Sequence, residues 1–435
     1  MSSKLILSPF QKFVKIESLS GILLIGATIM ALLWANSPWS ESYQALWQYK
    51  IGFTSDAFEL NKPLILWIND FLMAIFFFLI GLEIKREFMI GELNSVGKIA
   101  FPLFGAVGGM LFPVLFFYVL NDNPETMQGW GVPMATDIAF ALAVLKLLGD
   151  KVPLSLKVFL TAFAIVDDIG AVIVIAIFYS DNIQLPMLAI AGAMLIVLYI
   201  LSYKGFFSKF LLFLFGAVIW VLFLKSGIHP TLAGILLAFA VPIHQRLSTA
   251  TFVEQLDSIA QDFKTASVLN KPILSKEQIE HIDSLEDWTA KFQSPLQHLE
   301  HKLHDWVAYV IIPIFALANA GVSFNSEYDL NTALIIQLMV CLMFGNSIGI
   351  TLIILLSKKF KLIQVPSDIT NIHIVGVSFL AGIGFTMAIF IASLAFDKSP
   401  AYIDSAKIGI LLGSVISAII GYTILRLGSK EMAPL

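Results

Sequence analysis

Thr161-Ala-Phe-Ala-Ile-Val-Asp-Asp-Ile-Gly170 sets two carboxylates side by side in an apolar run that extends from about residue 155 to 178. A bilayer crossing needs roughly 20 mostly apolar residues, and this run supplies them. Asp167 and Asp168 lie about twelve residues in, ~18 Å along a helix, close to mid-membrane. Adjacent helical positions point about 100° apart, so one acid can face a water-filled cavity and the other a neighbouring helix. An acid at that depth costs roughly 2.5–3.5 kcal/mol on insertion scales and needs a reason. Two close carboxylates in a poorly solvated site cannot both ionise cheaply, and oxygen ligands suit hard cations. A site holding either a proton or a small cation is the minimum chemistry of an ion exchanger. The blander reading is a pair of acids satisfied by polar groups of other helices.

Composition agrees with the membrane setting. Of 435 residues, 58% are hydrophobic and 13% charged, with a mean hydropathy of +0.84. A soluble chain carries roughly a quarter charged residues. The single cysteine, Cys341, lies in an apolar run, so no disulfide framework or cysteine metal site is possible. The first apolar run, Gly21 to Ala35 behind Lys4, Lys12 and Lys15, is read as a span rather than a signal peptide, because further spans follow it.

Runs of suitable length predict about twelve transmembrane helices, near 18–36, 64–82, 99–120, 131–147, 155–178, 184–202, 207–224, 228–243, 305–322, 331–356, 372–396 and 404–426. With the N-terminus inside, the inner segments hold 22 of the 27 basic residues; Lys50, Lys62, Lys225, Lys398 and Lys407 are the five outside. Cytoplasmic loops are enriched in Lys and Arg, so both termini are expected in the cytoplasm. The expected fold is an all-α membrane protein forming one integral domain over 1–435. Two connections differ from simple loops. In 45–61, Trp47, Tyr49, Ile51 and Phe53 alternate with polar or small residues, which predicts a small outer β-hairpin turning at Thr54-Ser55-Asp56. The polar stretch 245–293 reads as a cytoplasmic insertion, with helical spacing in places.

Two spans look interrupted. Gly131-Val-Pro-Met-Ala-Thr-Asp137 opens the fourth with a Pro and a Gly just ahead of Thr136 and Asp137, and the eleventh carries Gly382-Ile-Gly384-Phe-Thr386 at its centre. Spans 3–5 and 10–12 have matching layouts in opposite orientation, each with the interrupted helix in the middle. An inverted repeat follows, with one discontinuous helix in each half.

Seven runs carry a resemblance at this point: Trp67-Ile-Asn-Asp70, Gly81-Leu-Glu-Ile-Lys-Arg-Glu87, Ala135-Thr-Asp-Ile-Ala-Phe-Ala-Leu142, Val166-Asp-Asp-Ile-Gly170, Ser226-Gly-Ile-His-Pro-Thr-Leu-Ala-Gly234, Phe315-Ala-Leu-Ala-Asn-Ala-Gly-Val322 and Gly382-Ile-Gly-Phe-Thr-Met387. Together, in order and over nearly the whole chain, they resemble the NhaA family of bacterial sodium/proton antiporters. Broken helices at corresponding places in two repeats mark a mid-membrane site, a rule drawn in part from this family itself.

The resemblance implies Asp168 as the central cation and proton ligand, Asp167 as its neighbour, and two discontinuous helices crossing at mid-membrane with Asp137 and Thr136 at the crossing. There a carboxylate offsets the positive ends of two half-helices. Asp70, Gly382 and Gly384 are implied in support. Na+ and Li+ are the implied substrates, exchanged for H+, and homodimerisation through the outer hairpin is implied too. No cofactor is expected, nor any nucleic-acid partner. Regulation by pH is implied for Glu83, Glu87, His229, Glu300 and His301. Their plainer readings are a charged helix end and a polar residue at a helix start. His298, His301 and His304 share a drifting helix face, which a location at the cytoplasmic interface explains without a metal.

One position departs from the family. In Leu342-Met-Phe-Gly-Asn-Ser-Ile-Gly-Ile350 the residue after Gly345 is Asn346, where familiar members carry a lysine that partners the first acid and balances the half-helix ends. No Lys or Arg lies between Asn331 and Ser357 to replace it. Asn brings a dipole and two N–H donors but no exchangeable proton. The Na+:H+ ratio, the working pH and the net charge moved therefore do not follow from the resemblance. Asn346 is expected either to hydrogen-bond ionised Asp167 or to leave it to carry proton traffic.

Three other functions are weighed against exchange. A sodium-coupled symporter of an organic anion would need a cationic pocket, and the core spans offer only acids. An intramembrane protease would need a Ser/His pair, His-Glu-x-x-His or a second aspartate in a protease context, and none of these appears. A transport-impaired, pH-responsive homologue is the reading that Asn346 leaves open.

Overall fold

The computed structural model describes residues 9–55, 58–91, 93–180, 182–244, 248–265, 275–323 and 329–428. The apolar runs are helical because hydrocarbon offers no partner for backbone N–H and C=O, so each segment must satisfy its own. Among the described residues seven helices are long and apolar enough to cross a membrane: Leu64–Ile90, Ile99–Leu120, Leu154–Phe178, Leu185–Tyr203, Lys209–Ser226, Thr332–Lys359 and Pro400–Gly428. Three more helix pairs reach that length only jointly, across bends of 113° (Ser20–Ala35 with Ser40–Gln48), 49° (Pro124–Met134 with Ile138–Leu147) and 42° (Asn371–Ala381 with Phe385–Ala395).

The count is thus seven, or up to ten, against the twelve expected. The run 228–243 holds only the nine-residue helix Thr231–Phe239. The run 305–322 holds Ile312–Asn319, which continues from Pro295–Trp306 through the π turn Val307–Ile311. The order of long helix, bent pair, long helix occurs twice, at 99–178 and at 332–428.

The acid-bearing helix Leu154–Phe178 starts directly after Pro153, which has no N–H to waste and a φ of −62° suited to a helix entry. It buries Leu156, Phe159, Leu160 and Phe163, and the ring of Phe159 stacks on Phe101 at 4.2 Å. Small residues set the closest approach between spans. Gly108 and Gly349 face each other so tightly that a Cβ on either would meet the other's backbone. With lipid outside, such backbone-to-backbone packing is what holds helices together.

The hairpin is present, with β1 (Lys50–Ser55) antiparallel to β2 (Phe58–Pro63) in a register from Lys50↔Pro63 to Ser55↔Phe58. It begins later than the alternation suggests. Residues 45–48 belong to the helix Ser40–Gln48, which buries Tyr43 and Trp47 one turn apart and has Glu41 in its first turn. The expected turn residue Asp56 lies outside the described residues. Within 245–293, two helices, Thr249–Thr265 and Lys276–Phe292, pack through Phe252 stacked on Phe292 at 4.2 Å. Ser275 and Gln278 form a reciprocal cap at the second helix's start. Residues 245–247 and 266–274 of this insertion lie outside the described residues.

Candidate functional site

The bent pairs at 124–147 and 371–395 meet at their breaks, and local chemistry explains each break. Pro133 cannot donate to a helix ladder, and the chain is extended from Ala135 to Asp137 before Ile138–Leu147 begins. In the other pair, Gly384 sits so close to the Ala135 carbonyl that a Cβ there would collide with it, and one on Gly382 would meet the Leu342 carbonyl.

The crossing is joined by side chains and backbone together. Thr136 Oγ1 donates to the Ala381 carbonyl at 2.9 Å, and Asp137 N–H donates to the Ile383 carbonyl at 2.6 Å. The Asp137 carboxylate serves both half-helix N-termini at once. Its Oδ1 accepts from Phe140 N–H at 3.1 Å, and its Oδ2 accepts from Thr386 N–H at 3.1 Å and Thr386 Oγ1 at 2.6 Å. An anion is the favourable occupant there, because both helix starts present unpaired N–H groups and the positive end of a dipole. Ser414 Oγ accepts from Gly384 and Phe385 N–H at 3.2 and 3.3 Å.

Asp167 and Asp168 are both buried beside this junction. Asp167 Oδ2 accepts the Thr136 N–H at 3.1 Å, which ties the acid pair to the first break. Asp168 takes no side-chain hydrogen bond among the described residues. The structure therefore brings Thr136, Asp137, Asp167, Gly382 and Gly384 into one junction, with Asp168 adjoining.

Asn346 is the first residue after the π turn Cys341–Gly345 and is fully buried. Its amide nitrogen donates to the Pro133 carbonyl at 3.0 Å and the Leu342 carbonyl at 3.3 Å, not to Asp167. Of the two alternatives for Asn346, the hydrogen bond to Asp167 is not the one formed. The donor groups are drawn instead to carbonyls left over where the Pro124–Met134 turn ends and where the π turn loosens the ladder.

The regulatory candidates separate into two groups. At the hairpin end, Asp70 lies in the π turn Ile68–Leu72 and pairs with Lys62 at 2.9 Å, with His229 Nε2 at 3.7 Å. These three line a cavity of about 490 Å³ with Tyr179, Asp397 and Lys398. At the opposite end, Glu83, Glu87 and Glu300 gather around Arg86. Its distances to Glu87 and Glu300 are both 3.0 Å, and Glu83 faces His304 Nδ1 at 3.8 Å. Burial, with Glu83 nearby, pushes the Glu300 carboxyl up to about 7 against the pull of Arg86. Of the two histidines one turn apart, His304 rather than His301 meets Glu83.

Arg86, His304, Thr386, Ser414 and Lys62 were missed as partners. The three-residue histidine spacing and the Gly-Phe-Thr run carried the only signals. Among the described residues no three His, Cys, Asp or Glu side chains gather as around a resident metal.

A many-helix membrane chain with buried acids at a junction of broken helices belongs to the class of ion-coupled secondary transporters. Comparison with known proteins narrows this. Residues 11–425 match the family Na+/H+ antiporter 1, and this chain belongs to that family. Similar proteins include the Na(+)/H(+) antiporter NhaA of Oleidesulfovibrio alaskensis, 47% identical over 432 residues, covering 99% of this chain and 96% of that one. The NhaA of Helicobacter pylori is 44% identical over 413 residues (94% and 93%), and NhaA 1 of Saccharophagus degradans 42% over 432 (98% and 93%).

Proposed function

We propose that this chain exchanges Na+ for H+ across a bacterial inner membrane, expelling sodium as protons enter. Family membership over nearly the whole chain supports the exchange itself. The observation that carries the site is the buried pair Asp167–Asp168 tied by Thr136 to a junction whose two helix starts share the Asp137 carboxylate. A carboxylate that loses its proton becomes a hard-oxygen ligand for Na+, and one that regains it releases the ion. Asp168 holds the cation and the proton in turn, Asp167 completes the acidic pair, and Thr136 and Asp137 shape the floor. Li+ is carried as well.

In the proposed arrangement the hairpin faces outward and both termini lie in the cytoplasm, with twelve spans including an inverted repeat of spans 3–5 and 10–12. Two copies pair through the hairpin. Glu83, Glu87, Glu300 and His301 gate the cytoplasmic side by pH, and His229 with Asp70 acts at the outer cavity. Support for pairing comes from the exposed Ile51 and Phe53 of the hairpin and Tyr49 just before it, with Phe53 81% exposed.

Asp168→Asn tests the site, because the amide keeps the shape and cannot release a proton. Exchange in vesicles containing the purified variant is expected to vanish while its melting behaviour stays near the parent's. Normal exchange would remove Asp168 from the mechanism.

A further inference from the structure

The side-chain carbonyl of Asn346 has no donor. Both N–H groups of the amide are used on carbonyls, Pro133 at 3.0 Å and Leu342 at 3.3 Å. The amide cannot be turned over, since that would press Oδ1 against two carbonyl oxygens. Oδ1 thus points away from both, and no hydrogen-bond partner meets it on a residue with 0% exposure. Buried acceptors nearly always have a partner, so each exception calls for an explanation.

Asp167 Oδ1 is in the same condition, buried and unpartnered, while Oδ2 takes the Thr136 N–H. Both side chains hang from one short stretch of chain. Asn346 holds it by the Pro133 carbonyl and Asp167 by the Thr136 N–H. Pro133 and Thr136 are three residues apart, so the two side chains that carry the orphaned oxygens are anchored at the same break of the chain. Asp168 adjoins it. The π turn before Asn346 is the kind of irregularity that re-aims a side chain at a functional site.

A cation is one partner for oxygens that lack donors, and it is the partner that the proposed exchange brings to this site. We infer that Asn346 Oδ1 is a direct ligand of the transported cation, adding one neutral oxygen to the carboxylates of Asp167 and Asp168. This rests on the cation site proposed above and extends it to a residue of the neighbouring helix. An ammonium at the same place would have no acceptor and would repel the ion. A smaller cation needs fewer oxygens than a larger one, as Mg2+ does beside Ca2+. The extra ligand therefore favours Na+ over Li+.

Cation binding to the purified full-length chain in detergent, read as the rise in melting temperature with NaCl or LiCl at constant ionic strength and pH, tests this. Asn346→Ala is expected to weaken Na+ about tenfold, the scale of one lost contact to a charge, and Li+ by clearly less. Asn346→Asp loses the donor to Pro133 just as Ala does but keeps an oxygen, so it is expected to retain Na+ binding.

Unchanged Na+ binding in Asn346→Ala overturns the inference, as does an equal loss for both cations, which marks a packing defect. If Asn346→Ala does not fold, Asn346→Asp decides alone: loss of Na+ binding in a folded Asp variant overturns it. Asp168→Asn is measured beside them and is expected to bind neither ion. Normal binding there defeats the cation site itself, whatever position 346 does.

Discussion

Asp137→Asn is the substitution on which the junction makes its sharpest demand. The amide keeps Oδ1 for Phe140 N–H but places an NH2 opposite Thr386 N–H, a backbone donor that cannot rotate away. Leaving that buried N–H unpaired costs ~1–3 kcal/mol. Removing the charge at two helix starts costs a further ~0.3–1 kcal/mol each. The expected loss of stability is therefore about 3 kcal/mol, in a chain that still folds.

Cation affinity falls as well. Asp137 follows Thr136, whose N–H touches Asp167, so the lost charge stands within ~10 Å of the ion. At an effective dielectric near 20 that is ~1.7 kcal/mol, about 15-fold in the apparent KM for Na+. Melting curves in detergent and sodium-dependent proton movement in vesicles measure the two effects. Thr386→Val, which removes only the 2.6 Å hydroxyl contact, completes a double-mutant cycle. Coupling of ~1 kcal/mol or more is expected between the two sites. Strictly additive losses would refute the shared-carboxylate reasoning, and an unchanged KM would refute the proximity.

Three further outcomes are expected. Glu300, pushed up to about 7 from an ordinary 4.5, is protonated below that pH and becomes charged above it, beside Arg86, Glu83 and Glu87 and near His304. Its contribution to stability is full below about 4.5 and lost as pH rises through about 7. Glu300→Gln should therefore flatten both the stability and the exchange profile near pH 7, and a profile unchanged from the parent's would exclude this group. Replacing the exposed Ile51 and Phe53 with Ser should weaken pairing of copies yet spare exchange, and mass measurement in detergent reads this directly; an undiminished dimer would place the interface elsewhere. Deleting 248–291 should lower exchange only modestly, because the stretch holds no apolar span; complete loss in a well-expressed deletion would give the paired helices there a direct role.

How much of this was readable from the residues divides along chain distance. Interruptions announced themselves locally: Gly131 and Pro133 mark one break, Gly382 and Gly384 the other, and the acid pair is conspicuous in its apolar run. Partnerships did not. Thr386 reaches Asp137 across 249 positions and Asn346 reaches Pro133 across 213, and no periodicity within one helix encodes such meetings. His301 was the more natural choice beside Glu300, yet helix rotation brings His304 to Glu83. The fourth span was expected to begin only at residue 131, because residues 124–130 lack the apolar signature of a span, although Pro124–Met134 as a whole forms the first arm of a bent pair. The π turns at 68–72, 307–311 and 341–345 leave no trace in composition, since each is one residue's excess in a ladder that otherwise looks regular.

The joint at 136–137 and 381–386 has a mechanical consequence. Motion that parts the two bent pairs must break the bonds from Thr136 to Ala381, from Asp137 to Ile383 and from Thr386 to Asp137 together, in surroundings with little water to replace them. Motion that carries both pairs as one body breaks none of these. For the exchange proposed above, the low-cost route is thus a tilt of the riveted pair against its neighbours, with the acid-bearing helix held to it through Thr136 and Asp167. Its sliding surfaces are the greasy contacts around it, and the rivet travels with the cargo.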